Sequence, residues 1–248
     1  MLSGLFAVSW FVLPGFGVID LSVTWNADWP QVLEAGWGLF ATVIVGASFA
    51  RLAVRPGEAV PAVAQLLAAS GCLAVSAVIA REIDLLFLVA LLGLQTTIVC
   101  GLLRGALRHE TESRVAGVSP TLLLLAGVAV VPWLAYALRM SSSNRDDRSD
   151  GDVTLGIDHY SVQGALALVL ALLPLWAALR GDLHPFVVVC SGVAASYLGL
   201  VSLAWPDAAG AFGQAWSIAA VAWGLALLVA TFADRIGAVP LDPDRRRL

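Results

Sequence analysis

The sequence contains no lysine; all fourteen of its basic residues are arginine. A retinal Schiff base needs a lysine amine, and a phosphate-binding P-loop needs the lysine of its GK[ST] motif, so both are excluded. Charge of either sign is scarce, at 13% of residues, where water-soluble domains carry roughly 25%. The formal net charge of −4 gives no footing for nucleic acid. Neither HExxH nor GxSxG occurs, which removes the commonest protease and hydrolase signatures. The three cysteines, Cys72, Cys100 and Cys190, fall inside apolar runs with no CxxC pair, and read as small buried hydrophobes rather than redox or metal groups. The N-terminus lacks the basic region and small-residue cleavage site of a signal peptide.

Haem is excluded on placement. Two axial histidines should project from facing helices at one depth, whereas His109 and His184 fall in connections on one face of the expected bundle and His159 on the other. No haem, no retinal and no other cofactor is expected.

What the chain has in abundance is apolar sequence: 59% of its 248 residues are hydrophobic. A bilayer core takes about 20 apolar residues per helix, and most of the chain divides into such pieces. Lipid offers the backbone no hydrogen bonds, so helices are the default; a β-barrel would alternate polar and apolar residues, and these runs do not. The expected fold is all-α, a polytopic bundle of eight transmembrane helices in one domain spanning residues 1–248. The count is seven if the first segment, residues 5–19 with Pro14, Gly15 and Gly17 inside it, does not span. The other runs cover residues 31–49, 61–80, 85–103, 120–138, 161–179, 185–204 and 212–232. Asp28-Trp29-Pro30-Gln31 reads as a helix start, with aspartate as cap, proline in the first turn and Gln31 completing a capping box. Residues 81–84 read as a tight turn, 104–118 as a polar link, and 234–248 as a short tail.

Residues 139–160, RMSSSNRDDRSDGDVTLGIDHY, form the long polar insertion. Eight crossings put Arg51, Arg55, Arg104, Arg108, Arg114, Arg180, Arg235 and Arg245 to Arg247 on one side, and Arg81, Arg139, Arg145 and Arg148 on the other. This ten-to-four split turns the first side to the cytoplasm. Both termini are then cytoplasmic and the insertion faces outward. Lysine-free, alanine-, valine- and arginine-rich composition points to a bacterial plasma membrane from a GC-rich source.

Polar groups inside the helices are mild: Gln65, Gln95, Thr96, Thr97, Tyr136, Tyr197, Gln214 and Ser217. The middle thirds of the helices carry no charge, which argues against a proton pump with a carboxylate relay. Pro132 and Pro174 sit at different depths and read as ordinary kinks. Gly192-x3-Ser196, Ala195-x3-Gly199 and Ala220-x3-Gly224 have the spacing that lets helices approach closely in lipid.

The candidate site is therefore on the outer face, where Asp20, Asp28, Glu34, Asp152, Asp158 and His159 converge on paper. Carboxylates beside an imidazole suit a divalent metal or an acid–base pair; the plainer alternative is that Asp158 and Asp28 cap helices and the rest are solvated. A calcium loop starting at Asp146 fails, with Arg148 at its third position and Ile157 at its twelfth. The expected function is non-enzymatic, a small-solute permease or a membrane accessory subunit, with the lipid bilayer and other membrane subunits as partners. The alternative is a membrane-embedded enzyme at the outer leaflet, with His159 and Asp158 as its acid–base pair. Within the insertion, residues 141–150 contain nothing apolar and are expected to be mobile, whereas 154–160 carry Leu155 and Ile157 and are expected to dock on the bundle.

The topology is testable. A reporter active only in the cytoplasm, fused after Leu248, is expected to be active, and a thiol at Ser142 in a cysteine-free background is expected to react with an impermeant reagent from outside. Labelling only from the cytoplasmic side would reverse the orientation.

Overall fold

A computed structural model of the chain describes residues 1–12, 17–113, 117–146, 153–154, 156–181, 183 and 185–237. Of the sequence features singled out above, Pro14, Gly15, Arg114, Arg148, Asp152, Leu155, His184 and the tail from residue 238 lie outside the described residues.

The protein is a helical bundle. Seven of its described helices are long and apolar enough to cross a membrane. The N-terminal segment instead contributes two short helices, α1 (Leu2–Phe11) and α2 (Gly17–Val23), each too short to cross alone. The first full-length span, Gln31–Val54, consists of α3 (Gln31–Leu39), a π-helical stretch Phe40–Gly46, and α4 (Ala47–Val54). A π-helix bonds i to i+5 and leaves the local carbonyl ladder incomplete. The side chain of Gln65, from α5 (Val60–Ala80), donates through Nε2 to the Ile44 carbonyl at 2.8 Å, so a polar residue in an apolar helix answers a backbone need of its neighbour.

The chain continues through α6 (Leu85–Leu102), α7 (Arg104–Ser113), α8 (Pro120–Asp146), a hairpin of β1 (Val153–Thr154) and β2 (Ile157–Asp158), α9 (His159–Leu179), α10 (Phe186–Ala204) and α11 (Gln214–Gly237). Contacts between connections on either side fix the up-and-down order. Tyr136 reaches Gly210 and Asn144 reaches Glu82 on the face that carries the insertion; the Ser119 amide reaches the Ala178 carbonyl, and Arg51 stacks over Phe186, on the opposite face. Buried residues make up 72% of the most apolar stretch of α9 but only 33% of those of α6, α8 and α11. α9 is thus the central helix, and the other three lie on the lipid-facing rim.

Three details differ from the sequence reading. The link after α6 is helical over Arg104–Ser113. No side chain caps α3: its N-cap is Pro30, Asp28 is exposed, and the Gln31 amide donates to the Asn26 carbonyl at 3.1 Å, holding the loop rather than closing a capping box. Most consequentially, α8 does not stop at Arg139 but runs to Asp146, so residues 141–146 are helix. Ser141 and Asn144 are buried, and the Asn144 amide donates to Glu82 Oε2 at 3.1 Å. Glu82 is itself buried in the turn after α5, where Arg81 adopts a left-handed φ of 58° and the Glu82 amide closes onto the Ala77 carbonyl at 3.0 Å. A buried carboxylate needs donors, and the extra turn of α8 supplies one. Residues 147–150 lie outside the described residues.

The glycines of the small-residue motifs bring α10 and α11 into close approach. A Cβ on Gly224 would lie 2.6 Å from the Gly192 carbonyl oxygen and 2.8 Å from the Ser196 backbone nitrogen; one on Gly199 would lie 2.8 Å from the Ser217 carbonyl oxygen. Backbone meets backbone at these points, and backbone cannot swing aside. Gly224→Ala is therefore expected to lower stability in detergent by about 1–3 kcal/mol through overpacking. Gly127→Ala, which meets nothing within 4 Å, is expected to be neutral or up to about 1 kcal/mol stabilising. Equal melting temperatures for the two variants would refute the close α10–α11 contact.

Candidate functional site

The N-terminal turn of α9 is the centre of the site. Ile157 and Asp158 form β2, paired antiparallel with β1, Val153 opposite Asp158 and Thr154 opposite Ile157. Gly156 at the turn has φ 82°, a conformation glycine adopts without strain. Ile157 is fully buried and anchors the hairpin on the bundle. Asp158 is extended and caps α9, its Oδ1 accepting from the Tyr160 amide at 2.9 Å, while the Ser161 hydroxyl donates to the Asp158 carbonyl at 2.8 Å. Residues 157–160 are buried on the bundle, Gly156 is exposed, and Leu155 lies outside the described residues.

The first turn of α3 meets that cap. His159 Nδ1 lies 3.9 Å from Glu34 Oε1, and the His159 ring stacks on Trp37, centroids 4.7 Å apart and planes 27° from parallel. Trp37 follows Glu34 by one turn, so α3 offers a carboxylate and an indole on one face. Both the carboxylate of Glu34 and that of Asp158 lie in the first turn of a helix, where the helix dipole favours negative charge.

One turn further along α9, Gln163 continues the polar line. Its Nε2 donates to the Tyr136 hydroxyl at 2.8 Å, and Tyr136 donates onward to the Gly210 carbonyl at 2.6 Å. Gln163 packs against Gly36 so closely that a Cβ there would fall 1.2 Å from its Oε1. Glycine at position 36 is what lets α3 approach α9 at this level. Three transmembrane segments and the α10–α11 loop are thus tied by one line of side chains, from Glu34 through His159 and Gln163 to Tyr136.

The six sequence-nominated residues fare differently. Glu34, Asp158 and His159 are brought together and are 2%, 3% and 1% exposed. Asp20 is buried as well, in α2, which packs on the Gln31–Val54 span through Gly17 against Ala41 and Thr42. Asp28 is exposed on the loop, its amide bonded to Asn26 Oδ1. Asp152 lies outside the described residues. Among the described residues, no three His, Cys, Asp or Glu side chains are grouped to hold a metal ion.

Sequence reasoning named Tyr136 but not its pairing with Gln163, and missed Trp37, Gly36 and the Glu82–Asn144 contact. The signal for Trp37 was its one-turn offset from Glu34. Nothing in the sequence of residues 81–84 distinguishes a buried Glu82 from a solvated one.

No known family model, curated protein or solved structure matches this chain.

The packing separates the nominated residues experimentally. His159→Ala removes a buried ring from between Trp37 and Glu34 and is expected to cost about 2–5 kcal/mol of stability in detergent. Asp28→Ala, at an exposed position, is expected to stay within about 0.5 kcal/mol of wild type. A silent His159→Ala would show that the cluster does not hold α3 to α9.

Proposed function

We propose that this chain is a non-enzymatic membrane protein, an accessory or binding subunit of a bacterial plasma membrane, with both termini cytoplasmic and the insertion facing outward. The observation that carries this reading is the closure of the acid–imidazole cluster. His159 is 1% exposed. Asp158, the acid–base partner expected from sequence, spends its carboxylate on capping α9. A residue that caps a helix and is sealed from solvent is placed to hold structure; a catalytic pair must reach a substrate. The uncharged middle thirds of the helices, and a groove between α8 and α11 lined mainly by aliphatic and aromatic side chains, speak for a binding role over conduction of polar solutes. The arginine asymmetry of the connections supports the orientation.

The enzyme alternative draws on one observation, the 3.9 Å approach of His159 to Glu34. That distance is beyond a direct hydrogen bond between those two atoms, but it places an imidazole and a carboxylate side by side.

Modification of the purified protein with diethyl pyrocarbonate, mapped by mass spectrometry, tells the two apart. His109 is exposed on α7 and is expected to react readily, with His159 slower by at least an order of magnitude, as a closing free energy above about 1.4 kcal/mol dictates. Comparable rates at the two histidines would open the cluster to solvent and favour the enzyme. Proteoliposomes are expected to swell in glycerol or urea no faster than protein-free vesicles; faster swelling would favour a permease.

A further inference from the structure

α8 and α11 are in contact, and side chains on the insertion side of that contact line a groove. The Trp223 indole donates to the Leu125 carbonyl at 2.8 Å and bridges the two helices. Above that bridge lies a groove of about 360 Å³, walled by Trp133, Tyr136, Phe212 and Trp216 and ending at Arg139. The volume falls in the usual ligand-site range of roughly 300–1,000 Å³, and an apolar wall with few polar groups is the usual lining. The walls brace one another: Trp133 meets Phe212 edge-on at 5.7 Å and Trp223 at 5.9 Å, and Tyr136 meets Phe212 at 4.5 Å. The groove is therefore preformed. It opens sideways, where Val128 and Trp216 are exposed on the rim of the bundle.

Its depth and its charge identify the occupant. From Pro120, where α8 begins, to Arg139 the helix rises about 28 Å, close to the ~30 Å of a hydrocarbon core, which brings Arg139 to headgroup level. From Val128 to Arg139 the rise is about 16 Å, one leaflet's depth of acyl chain. Arg139 is exposed, and among the described residues no carboxylate pairs with it. A cation at the phosphate level above a one-leaflet aromatic slot matches one kind of molecule abundant around the protein.

We propose that the α8–α11 groove is a binding site for an anionic phospholipid of the leaflet on the insertion face, one acyl chain lying against Trp133 and Trp216 and the phosphate on the Arg139 guanidinium. Guanidinium and phosphate make charge-assisted, two-pronged hydrogen bonds, and the pair is strengthened at a water-poor interface. The site stands whether the neighbouring acid–imidazole cluster is structural or catalytic, since it shares no side chain with Glu34 or His159. Tyr136 is the one residue common to the groove wall and the polar line.

The test uses full-length protein in mixed micelles titrated with dioleoyl phosphatidylglycerol, with retained lipid counted by native mass spectrometry. Wild type is expected to keep one phosphatidylglycerol. Arg139→Gln is expected to weaken retention about five- to tenfold, the share of one interfacial arginine. Ala219→Phe, at an exposed wall position, is expected to abolish it by filling the slot. Dioleoylglycerol, which lacks the phosphate, and inorganic phosphate, which lacks the chain, are each expected to compete poorly. Circular dichroism and elution volume verify that both variants fold. Equal retention by all three proteins would overturn the proposal. So would wild type eluting as a lipid-free dimer that Ala219→Phe makes monomeric, because the groove would then belong to a second copy.

Discussion

The structure depends on how the amides at the start of α9 are satisfied. α9 is enclosed on nearly every side, so the first turn of this helix cannot rely on water for its orphan N–H groups. Asp158 supplies the cap from a hairpin that Ile157 pins to the bundle. Burying that carboxylate costs free energy unless charge and hydrogen bonding compensate, and the helix dipole contributes. The same turn then receives His159 between Glu34 and Trp37. A requirement of the backbone thus draws polar side chains into a membrane bundle and ties the first long span to the central one.

Seen this way, the polar residues of the bundle are mostly answers to backbone geometry. Gln65 serves the carbonyls of a π-helical stretch, Tyr136 the carbonyl of Gly210 in a loop, and Trp223 the carbonyl of Leu125. Each bridges two segments that apolar contact alone would leave free to slide, since in lipid apolar surfaces have little reason to prefer one partner over another. Small residues set how closely helices approach; polar side chains set the register at which they do so.

The bundle itself was legible from the sequence because runs of about 20 apolar residues have few alternatives. Helix starts at Pro61, Pro120 and Pro185 were readable to within a residue or two, since proline fits the first turn of a helix, where its missing N–H costs nothing. The candidate site was half legible. Asp158, His159 and Glu34 could be nominated as polar residues at helix ends on one face, but pairing His159 with Glu34 depends on the rotation of α3 against α9, and leaving Asp28 out depends on the path of the loop before α3; local sequence encodes neither. The continuation of α8 to Asp146 was hidden for a different reason. Ser-Ser-Ser-Asn is a poor helix former in water, and contacts across the interface, Asn144 on the buried Glu82 and Arg145 on the Ile79 carbonyl, make that extra turn favourable. Tertiary structure overruled propensity there.

The π-helical stretch between Leu39 and Ala47 has a geometric consequence for the face on which Glu34 and Trp37 sit. A π turn accommodates one residue more than an α turn, and each residue turns a helix by about 100°. Relative to an uninterrupted α-helix, the half of the span carrying Glu34 and Trp37 is rotated by that angle against the half carrying Phe49 and Leu52. One helix can therefore present its acid and indole to α9 at one end and bury Phe49 against Phe6 of α1 at the other. The extra residue works as a phase shift: the widened stretch absorbs it, so Glu34 and Phe49 keep the mutual orientation they would have on a plain α-helix one residue shorter.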